Sequence, residues 1–229
     1  MRTAHRRLAA FGATALATIP LLAACTSAPA TDAATTDAAG SPLIADGIRV
    51  GDGPVTVVVF GDAACPHCMI LDAEVGDTLA AAVDAGEITL ELHPMTYVSE
   101  KRGDTTDYST RSAALLFAAA DAGETDAVPA LYALIQENQV DETGAPSDEE
   151  LLTYAAEAGV TADLSTALTG DEYIDLARAA NDYWLGREIP GTGEALQYVP
   201  SVAVDGAFFE VREDGTDLTR LEAAIADAG

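Results

Sequence analysis

"FGDAACPHCMI", Phe60 to Ile70, sets two cysteines three residues apart with a proline and a histidine between them. Metal ligation, a structural staple and redox exchange all use that spacing. The flanks decide the fold around it. Upstream, "VTVVVF" (55–60) is a continuous β-branched and aromatic run, the pattern of a strand buried on both faces. Gly61 to Ala64 reads as a turn. Downstream, "CPHCMILDAEVGDTLAAAVDAG" reads as a helix, with Leu71, Val75, Leu79, Ala82 and Val83 on one stripe and Gly86 ending it. Pro66 suits the first helical position, where its missing N–H costs nothing. Cys65 is then the N-cap, its sulfur facing the free backbone N–H groups of His67 and Cys68. Helix-end donors and the helix dipole favour an anion there. The spacing thus predicts a stabilised thiolate at Cys65 and a more buried, resolving thiol at Cys68.

The chain has 229 residues, 49% of them hydrophobic, so one domain with a sizeable core fits. Its formal charge is −27 and Lys101 is its only lysine. Such a surface disfavours nucleic acid and gives no electrostatic pull toward anionic lipid. At the N-terminus, basic "MRTAHRR" precedes apolar "LAAFGATALATIPLL", a stretch with the length of a signal-peptide core and too short for a comfortable membrane span. It ends in "LAAC", Leu22 to Cys25, which resembles the lipobox of bacterial lipoproteins. That resemblance implies that residues 1–24 are a signal peptide and that Cys25 is lipidated. An ordinary secretory signal with a chance cysteine is the alternative. Cleavage would remove Arg2, Arg6 and Arg7 and no acid, leaving the mature chain more acidic still. "TSAPATDAATTDAAGSP" (26–42) has no apolar periodicity and is expected to be disordered. Residues 25–43 then form a lipidated cysteine with a tether reaching roughly 20–25 Å. The expected location is extracytoplasmic, anchored to the cell membrane through Cys25.

With Cys25 assigned to lipid, Cys65 and Cys68 remain, in a setting where disulfides persist. A closed zinc site needs two more good ligands, and the mature chain offers only His67, His93 and carboxylates. A staple across two intervening residues closes a tiny loop and constrains the unfolded chain little. Both readings stay open, but redox chemistry is the favoured one.

A strand leading into C-x-x-C at a helix start resembles the thioredoxin fold. "CPHC" resembles the pair of the DsbA family of disulfide oxidoreductases, and "FGDAACPHC" is similar to the Phe-x-Asp-x-x-Cys-Pro-x-Cys entry of its secreted branch. The resemblance implies an α/β, thioredoxin-like domain over 44–229 with a mixed central sheet. It also implies that Cys65 attacks, that Cys68 resolves, and that His67 beside Pro66 helps stabilise the Cys65 thiolate. No cofactor beyond the redox-active Cys65–Cys68 disulfide is implied, and no metal.

The rest of the chain fits that order. "GEITLELHPM" gives a strand, Ile88 to Leu92; "YVPSVAVDGAFFEV" reads as strand, Asp-Gly turn, strand. Leu218, Leu221 and Ile225 mark a closing helix. Between them, residues of about 104–187 carry helical marks: the run Ala113 to Ala120, a stripe of Val128, Leu131, Tyr132 and Ile135, a Ser147–Glu150 capping box, a start at Thr161, and a helix ended by Gly186. This looks like the helical insertion of DsbA-like proteins. The family places a cis-proline opposite its cysteines; here that is Pro200, preceded by Val199, both expected to contact substrate. Family members often read Gly-Thr-Pro there, whereas "GTG" (191–193) stands seven residues before Pro200, as if "EALQYV" were inserted. Asp62, three residues before Cys65, is either a proton relay or a turn residue. His93 reads as a core or rim histidine, and Tyr198 as a groove-lining candidate.

The expectation is an extracytoplasmic oxidoreductase that donates its disulfide to thiols of secreted or unfolded proteins. A membrane partner of the DsbB or VKOR type would recycle it. The alternatives are a reductase or isomerase, or a non-catalytic binding or metal-carrier lipoprotein.

Overall fold

A computed structural model describes residues 43–44, 47–140 and 144–229; the expected signal peptide, Cys25 and residues 26–42 lie outside the described residues. Strand β3 (Val55–Asp62) runs down the middle of a six-stranded mixed sheet. It pairs in parallel with β4 (Ile88–Met95) and antiparallel with β5 (Ser201–Val204). Helix α1 (Pro66–Asp84) makes the crossover from β3 to β4. Beyond β4 lie β2 (Gly47–Val50) and then the two-residue β1 (Leu43–Ile44); beyond β5 lies β6 (Ala207–Phe209). The β1–β2 hairpin is an addition to the expected order, since two residues are too short for any period to be read.

Alternation along the strands sorts the sheet into two faces. Val57 and Val59 of β3 are level with Leu90 and Leu92 of β4 and with Val204 and Val202 of β5. Together with Leu71, Val75 and Leu79 of α1 and Leu221 of α7 (Asp217–Ala228) they form one half of the core. On the other face Phe60 stacks on His93, ring centroids 4.5 Å apart, and both meet the edge of Trp184. Trp184 ends helix α6 (Asp171–Trp184), which packs on β4 and on α3 (Tyr108–Asp121). Cover on both faces explains why "VVVF" is apolar without alternation. It also makes His93 a buried core histidine.

β4 runs three residues past the expected Leu92. Pro94 is tolerated because the β2 register ends at the Ile48–Leu92 pair, so no neighbour on that side asks for its missing N–H. Between β4 and β5 come α2 (Val98–Arg102), α3, α4 (Val128–Glu137), α5 (Asp148–Glu157) and α6. The Ser147–Glu150 capping box forms as read. No helix begins at Thr161: the Asp163 side chain takes the Ser165 N–H instead, the local competition that turns an Asp-Leu-Ser stretch away from helix. Among the described residues no helix is long and apolar enough to cross a membrane.

The segment lengthened before Pro200 folds back on itself. Ile189 N–H bonds to the Glu194 carbonyl and Leu196 N–H to the Arg187 carbonyl, and both apolar side chains are buried. The extra residues thus make a small hairpin that ends by delivering Tyr198 and Val199 to β5.

Gly61 sets a tight constraint where β3 nears its end, because a Cβ there would overlap the Tyr132 hydroxyl oxygen of α4. Gly61→Ala is expected to cost about 2 kcal/mol of stability in urea unfolding. Adding Tyr132→Phe removes the overlapping atom and should restore more than half of that loss. A double variant no more stable than the single would show that the constraint lies elsewhere.

Candidate active site

β3 ends at Asp62 and α1 starts at Pro66, so three residues turn the chain. Cys65 is the N-cap, with extended backbone (φ −91°, ψ 113°), and Pro66 opens the helix. The Cys65 carbonyl accepts the first helical bonds, from Cys68 N–H at 3.0 Å and Met69 N–H at 3.2 Å. Both cysteines are free thiols and buried, Cys65 at 4% and Cys68 at 1% relative exposure.

The two thiols are electrostatically unlike. A hydrogen bond from the Cys68 thiol, then the backbone N–H groups of Cys68 and His67, pull the Cys65 thiol below its ordinary value to about 7, against burial and the Asp62 charge. Burial, together with the neighbouring Cys65, pushes the Cys68 thiol well up. The Asp62 N–H reaches the Cys68 sulfur at 3.4 Å.

The other candidates take distinct positions. The Val199–Pro200 peptide bond is cis, and the Val199 carbonyl accepts from the Cys65 thiol at 3.5 Å, so the loop before β5 faces the reactive sulfur. The His67 ring is largely exposed and turns to Glu213, its Nδ1 2.8 Å from Oε1. That hydrogen bond first, then the Glu213 charge, raise the His67 pKa. The Cys65 charge is the least of the influences on the ring, and the His67 N–H is among the backbone groups that lower the Cys65 thiol. Asp62 is buried beneath the turn. Its Oδ1 accepts from Ala64 N–H and the Ser109 hydroxyl, and its Oδ2 from Val98 N–H. Burial nevertheless lifts its carboxyl to about 6. Tyr198 is exposed next to Val199. Cys25 lies outside the described residues. Among the described residues no three His, Cys, Asp or Glu side chains gather as metal ligands would.

Sequence reasoning missed the groups that brace this turn. Arg102 of α2 donates to the Ala64 carbonyl at 2.7 Å, and Gln139, just after α4, donates to the Cys65 carbonyl at 2.8 Å. Half-buried Tyr97 meets the Val199 backbone, and its hydroxyl is held neutral by burial and by the nearby Asp62 and cysteines. Only Arg102 left any signal, as one of 11 basic residues in a strongly acidic chain.

Residues 47–226 match the family described as Thioredoxin. Among solved structures the chain is similar to reduced DsbA from Mycobacterium tuberculosis, with 21% identity and a TM-score of 0.60 over 80% of this chain and 100% of that one. It is similar to the reduced disulfide bond oxidoreductase DsbG from the same organism, with 21% identity and a TM-score of 0.61 over 83% and 97%. It is also similar to MdbA, a thiol-disulfide oxidoreductase from Corynebacterium diphtheriae, with 21% identity and a TM-score of 0.60 over 78% and 89%. At such identity the likeness speaks for the fold, which is thioredoxin-like with helices inserted between β4 and β5. A sequence comparison with curated proteins finds no match.

Because the Cys68 thiol is the largest influence on Cys65, Cys68→Ala should move the midpoint of Cys65 alkylation upward from about 7, toward the ordinary ~8.5. Iodoacetamide rates from pH 5 to 10 read this directly. An unmoved midpoint would mean that the helix N–H groups alone hold the thiolate.

Proposed function

Since the chain belongs to the thioredoxin family, we propose that it is a thiol-disulfide oxidoreductase that passes a Cys65–Cys68 disulfide to thiols of extracytoplasmic proteins. The observation that carries this is the asymmetry of the pair: a lowered, N-capping Cys65 beside a buried, raised Cys68. A substrate thiolate attacks the Cys65 sulfur, the Cys65–Cys68 bond breaks, and Cys68 leaves and takes up a proton. A second substrate thiolate attacks the substrate sulfur of the mixed disulfide and expels Cys65 as a thiolate. The substrate leaves with one disulfide and the protein with two thiols. No cofactor enters these steps.

Val199 and Pro200 are the substrate-facing backbone in this reading, supported by the 3.5 Å contact of the Val199 carbonyl with Cys65. Lipidated Cys25 would hold the domain at the outer face of the membrane. There a quinone-linked partner of the DsbB or VKOR type would reoxidise it. The "LAAC" sequence supports the anchor, and the oxidising direction rests on the Cys-Pro-His-Cys pair.

Two observations favour a second reading, a reductase or isomerase. Cys65 falls to about 7, close to the ~7 of thioredoxin and above the ~3.5 of DsbA, and the His67 ring is engaged by Glu213. Equilibration of the full chain with glutathione, read by alkylation of Cys65 and Cys68, separates the two. A potential near about −120 mV is expected for the disulfide donor; one near about −270 mV would make the protein a reductase. A folded Cys65→Ser variant with undiminished exchange activity would sink the enzymatic reading altogether.

A further inference from the structure

The loop that joins β6 to α7 reaches back to the active-site turn through one side chain. Glu213 sets its Oε1 2.8 Å and its Oε2 3.0 Å from the His67 Nδ1. Its backbone lies in the left-handed region, at φ +53°, which Gly, Asn and Asp adopt readily and Glu seldom does. The buried Asp217 carboxylate holds it there. It accepts from the Glu213 N–H at 2.8 Å and from the Arg212 N–H at 2.9 Å, and Arg220 pairs with it at 2.8 Å. Glu74 of α1 accepts from the Leu218 N–H at 3.2 Å, which ties the start of α7 to the active-site helix. A strained residue, fixed by a buried carboxylate and aimed at the histidine of the Cys-Pro-His-Cys turn, marks a functional constraint on this loop.

What this hold does follows from charge. An imidazolium beside a thiolate favours the thiolate, and with it the reduced pair, because the disulfide carries no charge. The hydrogen bond to Glu213 and then the Glu213 charge are the largest influences on the His67 ring, and both raise its pKa; the Cys65 charge acts least. The cation is present, but a carboxylate neutralises it on the side of the loop. The His67 side chain is 64% exposed, so the ring has room to turn once it is released.

We propose that Glu213 is a positioning residue that holds the His67 ring and its charge away from Cys65, and so makes the pair more reducing than the Cys-Pro-His-Cys sequence alone would make it. This rests on the exchange chemistry proposed above. With oxidised glutathione, the Cys65 thiolate attacks one glutathione sulfur and the other glutathione leaves as a thiolate. Cys68 gives its proton to solvent and attacks the Cys65 sulfur. The Cys65–Cys68 bond forms and the second glutathione leaves as a thiolate. Two electrons have passed from the pair to glutathione, and whatever stabilises the Cys65 thiolate opposes that transfer. A ring released from Glu213 stabilises it, so the pair then keeps its electrons more firmly. The sign survives the loss of a partner that raises the ring. A histidine at its ordinary ~6.5 is still largely cationic where a thiol with a midpoint below about 7 ionises, and the Cys65 charge itself raises the ring.

Alkylation of Cys65 from pH 4 to 9 and the glutathione equilibrium at pH 7 test this on the full chain. Glu213→Gln should lower the alkylation midpoint by roughly 0.3–0.7 pH unit, the two- to fivefold worth of an exposed ion pair. It should shift the equilibrium toward the two thiols by up to about threefold, since a thiol near its midpoint feels only part of the change. In a His67→Ala chain the same substitution should move neither. A Glu213→Gln chain with the midpoint and equilibrium of the unaltered one overturns the assignment. So does a midpoint that rises, or a shift that persists in full without His67. Should the unaltered chain form no Cys65–Cys68 disulfide at any glutathione ratio, the exchange reading falls, and the alkylation midpoint still decides the part played by Glu213.

Discussion

The Cys65 sulfur stands at the N-terminal end of α1; it makes no side-chain cap hydrogen bond, and Cys68 N–H closes on the Cys65 carbonyl, yet the nearby backbone N–H groups of Cys68 and His67 still help to lower its thiol. Pro66 contributes by lacking a third N–H that would otherwise need a partner. The neighbouring Cys68 thiol adds its own donor to the same sulfur. The site is therefore a thiol at the start of a helix whose ionised form is favoured first by the neighbouring thiol and then by the helix end. The rest of the molecule serves to put that helix end at the end of β3 and to keep water from replacing its donors.

The inserted helices do much of this. A three-residue turn between a buried strand and a buried helix start leaves carbonyls pointing away from both elements, and buried carbonyls need donors. Arg102 satisfies Ala64, Gln139 satisfies Cys65, and Gln136 approaches the Asp62 carbonyl at 3.4 Å. Val98 and Ser109 meet the Asp62 side chain from the same direction. The insertion is thus a clamp on the turn as well as a cover for the sheet. A turn held at the Asp62, Ala64 and Cys65 carbonyls keeps the Cys65 sulfur in one place through a reaction that changes its bonding partner.

What could be read from the sequence was local. The strand–turn–helix around Cys65, the role of Pro66 and the apolar stripe of α1 depend on residues a few positions apart, so spacing reveals them. The closing β5–β6–α7 unit was legible for the same reason, through its Asp-Gly turn and helical period. The partners that tune the site are not local. Glu213 meets His67 across 146 residues and Gln139 meets the Cys65 carbonyl across 74, and no period or motif links such pairs.

The short outer strands carry a consequence for a protein that would meet extended, unfolded chains. β1 has two residues and β6 three. An open sheet edge is a template on which another extended chain can add hydrogen bonds rung by rung. With so few rungs at either border, a captive polypeptide finds little to zip onto. In the proposed function its attachment would fall to the sulfur and the backbone at Val199, contacts that the reaction itself could undo. Short outermost strands would then favour turnover over lasting adhesion.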